Sequence, residues 1–151
     1  MTDTKENAAQ KAASRTTRGG CHCGRVQFTV TGELRDVLAC HCRDCMKLAG
    51  NSVAATGALA ENVEIRGDDL KWYRSSDWAE RGFCQHCGGQ MFYRIDGSPM
   101  ISIMAGMLDD PTQLKFGGHI FLHDHPGHQP LEENPIDLHE QFTGQQRPGK
   151  G

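Results

Sequence analysis

Seven cysteines carry the chemistry of this chain, and their spacing sorts them into two sets. Cys40-His41-Cys42-Arg43-Asp44-Cys45 packs three thiols into six residues. The other four stand as two clips far apart in the chain, Cys21-His22-Cys23 and Cys84-Gln85-His86-Cys87. Zinc held by four protein ligands is closed and structural, whereas zinc held by three keeps a position where a substrate can bind. Four plus three therefore predicts a scaffold metal beside a working metal, two Zn2+ per chain.

The clips suit metal geometrically. In an extended strand, residues i and i+2 point to one face, so the sulfurs of Cys21 and Cys23 can converge on one ion. Gly19-Gly20 before them and Gly24 after them let the backbone bend. Cys84-x-x-Cys87-Gly88-Gly89 reads as a knuckle of the zinc-ribbon type. Once the self-contained three-thiol cluster is set aside, the two clips remain to pair with each other. Cys21, Cys23, Cys84 and Cys87 would then close the loop Gly24–Phe83 around a structural zinc.

The three-thiol cluster admits two readings. In one, a distant histidine completes a second closed site, with His119 and His139 as candidates. In the other, Cys40, Cys42 and Cys45 leave the fourth position to water or a substrate thiolate. Three thiolates donate strongly, so generating hydroxide is less natural here than at a three-histidine site. Exchanging the open ligand for another soft thiolate is more natural. Thiol activation is the chemistry to expect.

Disulfides fit poorly. The cysteine count is odd, no apolar segment of an export signal opens the chain, and cysteines one residue apart make strained partners. A cytoplasmic location is the expectation. No stretch approaches the ~20 apolar residues that cross a bilayer. Of 151 residues, 16 are Lys or Arg and 19 are Asp or Glu, giving a net charge of −3. With basic residues scattered singly, a nucleic-acid surface is not expected.

The elements that must position the cysteines are mostly strands. Val26, Phe28 and Val30 alternate with Gln27, Thr29 and Thr31, a half-buried strand. Further runs of this kind are 36–40, 51–57, 63–66, 70–74, 81–84, 90–94, 100–104 and 119–122. Turn residues separate them at 67–69, 75–77, 96–99 and 117–118. One short helix is expected at Asp44–Leu48, stopped by Gly50. The fold class is all-β, with several small antiparallel sheets. A polar tail is expected at 1–18, one zinc-binding domain at 19–143, and a second tail at 144–151.

Gly20-Cys21-His22-Cys23-Gly24-x-Val26-x-Phe28, Cys40-His41-Cys42-x-x-Cys45 and Phe83-Cys84-x-x-Cys87-Gly88 together resemble the glutathione-dependent formaldehyde-activating enzyme family. Gly106-Met107-Leu108-Asp109-Asp110-Pro111 and His119-Ile120-Phe121 resemble its later signature stretches. The resemblance implies a β-tent-like fold stapled by zinc. It places a structural zinc on Cys21, Cys23, Cys84 and Cys87, and a catalytic zinc on Cys40, Cys42 and Cys45. The implied reaction is of the carbon–sulfur lyase kind, joining glutathione and formaldehyde into S-hydroxymethylglutathione. After Leu122 the chain departs from the family's longer members, so the partner is written as a small thiol, glutathione or another. The family also includes a centromere-associated protein, which keeps open a non-catalytic zinc module that binds protein or nucleic acid. A redox sensor that releases zinc on oxidation is a third reading.

Around the cluster, Arg43 and Lys47 could offset negative charge, though ordinary surface positions suit them better. His41 and Asp44 could orient the ligands or carry protons; strand alternation turns His41 away from the metal and toward a packing role. Asp109 and Asp110 before Pro111 read as a turn. The histidines of the His123–Pro130 loop are expected to be solvated.

Overall fold

Period-two burial runs through most of the chain, and it builds two sheets. The computed structural model describes Gln10 and residues 15–143. The smaller sheet orders β1 (Thr16–Gly20), β2 (Gln27–Thr31) and β5 (Val63–Arg66) as β1-β2-β5, all antiparallel. The larger sheet contains β3 (Val37–Cys40), β4 (Val53–Leu59), β6 (Leu70–Ser76), β7 (Ala79–Cys84), β8 (Gln90–Ile95), β9 (Met100–Met104) and β10 (Phe116–Ile120). Its order is β10-β3-β4-β9-β8-β7-β6, antiparallel throughout except for the parallel pair β10–β3. The all-β expectation holds. No helix among the described residues is long and apolar enough to cross a membrane.

The core lies between the sheets. Val26, Phe28 and Val30 from the small sheet's side meet Ala58, Met91, Phe92, Ile101 and Ile103 of the large sheet. Phe28 and Phe92 pack edge to face with centroids 5.3 Å apart, a geometry that adds about 0.5–1.5 kcal/mol beyond the buried area. Strand alternation gives the large sheet a second face. In β9, Ile101 and Ile103 are buried in the core, while Met100, Ser102 and Met104 line a cleft on the opposite side.

The helix α1 (Arg43–Ala49) links β3 to β4. Its N-cap is Cys42, whose sulfur accepts the Cys45 N–H, and Gly50 ends it in the left-handed conformation, as the sequence predicts. Gln90 Nε2 donates to Leu48 O at 2.6 Å and ties the end of α1 to β8. A second short helix, α2 (His139–Thr143), follows the segment Ile136–Leu138. That segment covers the outer edge of β10: His119 N donates to Ile136 O, and Leu138 N donates to His119 O.

Two expectations need correction. The N-terminal tail assigned to 1–18 overlaps a strand, because β1 begins at Thr16 and pairs with β2 from Thr16↔Thr31 to Gly20↔Gln27. Backbone hydrogen bonds order β1, so its polar side chains left no periodic signal. The rest of that tail, Gln10 apart, and the tail 144–151 lie outside the described residues. The turn expected at Gly117-Gly118 is instead part of β10. These glycines admit the neighbouring chain: a Cβ on Gly118 would lie 2.9 Å from Ile136 O.

Gly67 marks where backbone freedom is required. It joins β5 to β6 at φ +112°, and a Cβ there would lie 2.1 Å from Arg25 O, next to the first cysteine clip. Gly67→Ala is expected to cost about 1–3 kcal/mol or more, since strain and collision add. Urea unfolding of the two proteins would measure it.

Candidate metal centres

Cys21 and Cys23 lie between β1 and β2, Cys84 closes β7 and Cys87 lies in the turn to β8, so the four-thiol group spans the two sheets. The four sulfurs all lie within 4.8 Å of one another. Cys21 Sγ and Cys23 Sγ are 3.5 Å apart, and Cys23 Sγ and Cys84 Sγ 3.7 Å. A tetrahedron with metal–sulfur bonds of about 2.3 Å has edges of about 3.8 Å, so the donors fit zinc. Turns closed by a glycine N–H shape the two clips. Gly24 N donates to Cys21 O and Gly88 N to Cys84 O, and both glycines have positive φ. The backbone N–H groups of Gly89 and Cys23 hold the Cys87 thiol down to about 6.

The second group is Cys40, Cys42 and Cys45, whose sulfurs also lie within 4.8 Å of one another. Cys40 closes β3, Cys42 caps α1, and Cys45 sits buried on the first turn of α1. Contacts with Cys42 and Cys45 push the Cys40 thiol far up. Contacts with Cys40 and Cys45 hold the Cys42 thiol down to about 2. One sulfur therefore ionises at the expense of its neighbours, and a divalent soft cation would let all three ionise together. The donor set fits zinc on those grounds.

Neither histidine considered as a fourth ligand joins this group among the described residues. His119 Nδ1 pairs with His41 Nε2 at 2.8 Å, and His119 Nε2 with Glu132 Oε1 at 2.8 Å. His139 Nδ1 accepts the Phe121 N–H at 3.3 Å. His41 is fully buried and faces His119, in keeping with the packing role. Arg43, Asp44 and Lys47 are exposed. Asp110 accepts the Thr112 N–H and forms the turn read from the sequence. His123, His125 and His128 fall in no metal-ligating group among the described residues.

The three thiols open into a cleft of about 350 Å3. Register explains its depth. Small residues occupy the cleft face of the central strands: Ala55 lies opposite Leu38 on one side and Met104 on the other, and Gly57 lies opposite Ser102. β-branched or aromatic side chains at Ala55, Gly57 and Ser102 would fill the space. Leu38, Val53, Met104 and Ile120 supply apolar walls near the sulfurs. Arg35 lies over Gly57, whose Cβ would approach its Nε to 3.1 Å.

Sequence reading missed Arg81. It extends the row Gly57–Ser102–Tyr93 across β7 and is only 8% exposed. Both terminal nitrogens lie 3.7 Å from Cys45 Sγ, and the guanidinium stands 5.0 Å from the Tyr93 ring centroid. Its one trace in the sequence is a charged residue inside a period-two run, a place for burial only if an anion meets it.

Residues 16–124 match the family described as glutathione-dependent formaldehyde-activating enzyme. An uncharacterized lyase of Schizosaccharomyces pombe is 23% identical over 109 residues, covering 72% of this chain and 80% of that protein. A protein of Pyrenophora teres, provisionally named glutathione-dependent formaldehyde-activating enzyme, is 31% identical over 80 residues. That match covers 50% of this chain and 42% of the relative, so the chain spans less than half of its length. A crystal structure of a Rhodobacter sphaeroides protein shares the fold, with a TM-score of 0.53 and 24% identity over 66% of this chain and 99% of that one.

The His41–His119 pair should matter more than its outer partner. His119→Phe leaves His41 Nε2 buried without its partner and is expected to cost about 1–3 kcal/mol. Glu132→Gln changes a contact whose carboxylate is 48% exposed, so a loss below about 1 kcal/mol is expected. Denaturant unfolding of both variants would rank them.

Proposed function

The chain belongs to the glutathione-dependent formaldehyde-activating enzyme family, and from that premise we propose a zinc-dependent enzyme of the carbon–sulfur lyase type. Its substrates are a small thiol, glutathione or another, and an aldehyde such as formaldehyde. The thiol gives its proton to solvent, its sulfur bonds to the carbonyl carbon, the carbonyl electron pair moves to oxygen, and oxygen takes a proton back from solvent. The reverse reaction breaks the same C–S bond. The observation that carries this reading is the division of the cysteines: three open into an apolar cleft, and four lie between the two sheets.

Cys40, Cys42 and Cys45 would hold the working zinc, and Cys21, Cys23, Cys84 and Cys87 the structural one. Zinc bound to the three-thiol set supplies a soft Lewis acid that favours the thiolate form of a further sulfur ligand. The chain does the rest. Leu38, Val53, Met104 and Ile120 shield the reacting atoms from bulk water and accept the apolar part of the thiol. The short side chains of Ala55, Gly57 and Ser102 leave room for the remainder. α1 and β3 hold the three sulfurs at fixed spacing, so no loop must order before reaction. A non-catalytic interaction module would leave the cleft beside those sulfurs without a use.

Metal analysis of the native protein should give about two zinc ions per chain, one for each thiol group. Cys45→Ser should stay folded, retain one zinc, and lose thiol–formaldehyde exchange by at least about 100-fold, since supporting residues alone typically contribute 10–100-fold. Cys87→Ser should lose the fold, seen as a collapsed thermal transition. NMR exchange between labelled formaldehyde and its glutathione adduct reads the activity. If both variants unfold alike, or Cys45→Ser keeps full activity, the division of labour is wrong.

A further inference from the structure

Arg81 is a buried cation in an unusual setting. It is 8% exposed, and no carboxylate among the described residues pairs with it. Its Nε is buried without a hydrogen-bond partner in the described structure. Burying an arginine this deeply is costly unless negative charge compensates it. The negative charge within reach is sulfur: both terminal nitrogens contact Cys45 Sγ at 3.7 Å, and the residue lines the cleft with Cys40, Cys42 and Cys45. Tyr93, its partner across β7 and β8, holds the guanidinium by a cation–π contact.

Charge shows what this arrangement does. Three thiolates around a divalent cation leave one net negative charge, and an incoming thiolate would double it. In a cleft walled by Leu38, Val53, Met104 and Ile120, water screens that repulsion weakly. Arg43 and Lys47, the basic residues nearest the cluster in sequence, are exposed to solvent and screened. Arg81 alone of these three meets a cluster sulfur from a buried position. A thiol entering as thiolate gives its proton to solvent, and the fixed guanidinium offsets the charge that the remaining sulfur carries in.

Resting on the functional reading above, we infer that Arg81 is the positioning residue that admits an anionic sulfur ligand to the three-cysteine site, and that it selects for charge. It acts on any thiolate, with or without a carboxylate. It should matter little for a neutral ligand of similar size.

Cobalt(II)-substituted protein separates these effects, because sulfur-to-cobalt charge-transfer absorption reports ligand entry without turnover. Three ligands would be titrated: 2-mercaptoethanol, glutathione and imidazole. In Arg81→Met, affinity for both thiols should fall by about tenfold or more, as loss of one poorly screened charge requires. Imidazole affinity should change by less than about threefold, and Arg81→Lys should restore most of the thiol binding because it restores the charge. If Arg81→Met does not fold, Arg81→Gln replaces it, removing the charge while keeping a polar stem.

Equal losses for thiols and imidazole, or no rescue by lysine, would show Arg81 to be merely structural. A loss confined to glutathione would show that Arg81 reads a carboxylate. Either result overturns the inference and leaves the functional reading standing. If the unaltered protein shows no spectral response to any thiol, the functional reading itself falls, and this inference with it.

Discussion

Mutual repulsion among clustered thiolates governs this molecule. Thiolates within 4.8 Å of one another repel, and a positive charge among them relieves that repulsion. The chain creates that condition twice, and the second time it adds a buried guanidinium. The surrounding architecture serves to impose this crowding and to decide who may relieve it.

The two clusters occupy mechanically different places. The four-thiol group lies between the β1–β2 junction of one sheet and the β7–β8 turn of the other, and the core between those sheets contains Phe28 and Phe92. An ion there would tie the two sheets together and gain strength from the folding of both. The three-thiol group faces the cleft on the large sheet's opposite face, running from the end of β3 into α1, and Gln90 anchors the helix that carries Cys45. Chemistry at the second site can therefore change without loosening the first.

The cleft arises from what the strands leave out. Alternation sends Ala58, Ile101, Ile103 and Phe92 into the core and Gly57, Ser102 and Tyr93 to the other face. Small side chains on that face trade burial for open volume, a cost accepted where a ligand fills the space. The buried His41–His119 pair then fixes the backbone between Cys40 and Cys42 against β10, whose far edge the Ile136–Leu138 segment covers.

Much of this was legible in the residues alone. Thiol spacing is local: Cys-x-Cys and Cys-x-x-Cys fix sulfur positions within one turn or strand, so each clip and the three-thiol cluster could be read directly. The pairing of the two clips followed only by elimination, and the fold brings their sulfurs together. Period-two alternation located most strands, and Gly50 marked the helix end, because these signals also act over a few residues. β1 escaped, since its order comes from backbone pairing with β2, and Gly117-Gly118 misled because close chain approach, like a turn, requires small residues. Arg81, 36 positions from Cys45, was invisible for a deeper reason. Its contact exists only because four strands align Gly57, Ser102, Tyr93 and Arg81 in one row, and the resulting field on a sulfur depends on distance through space, not along the chain. Sequence determined which atoms could bind a metal; tertiary structure decided which charge stands beside them.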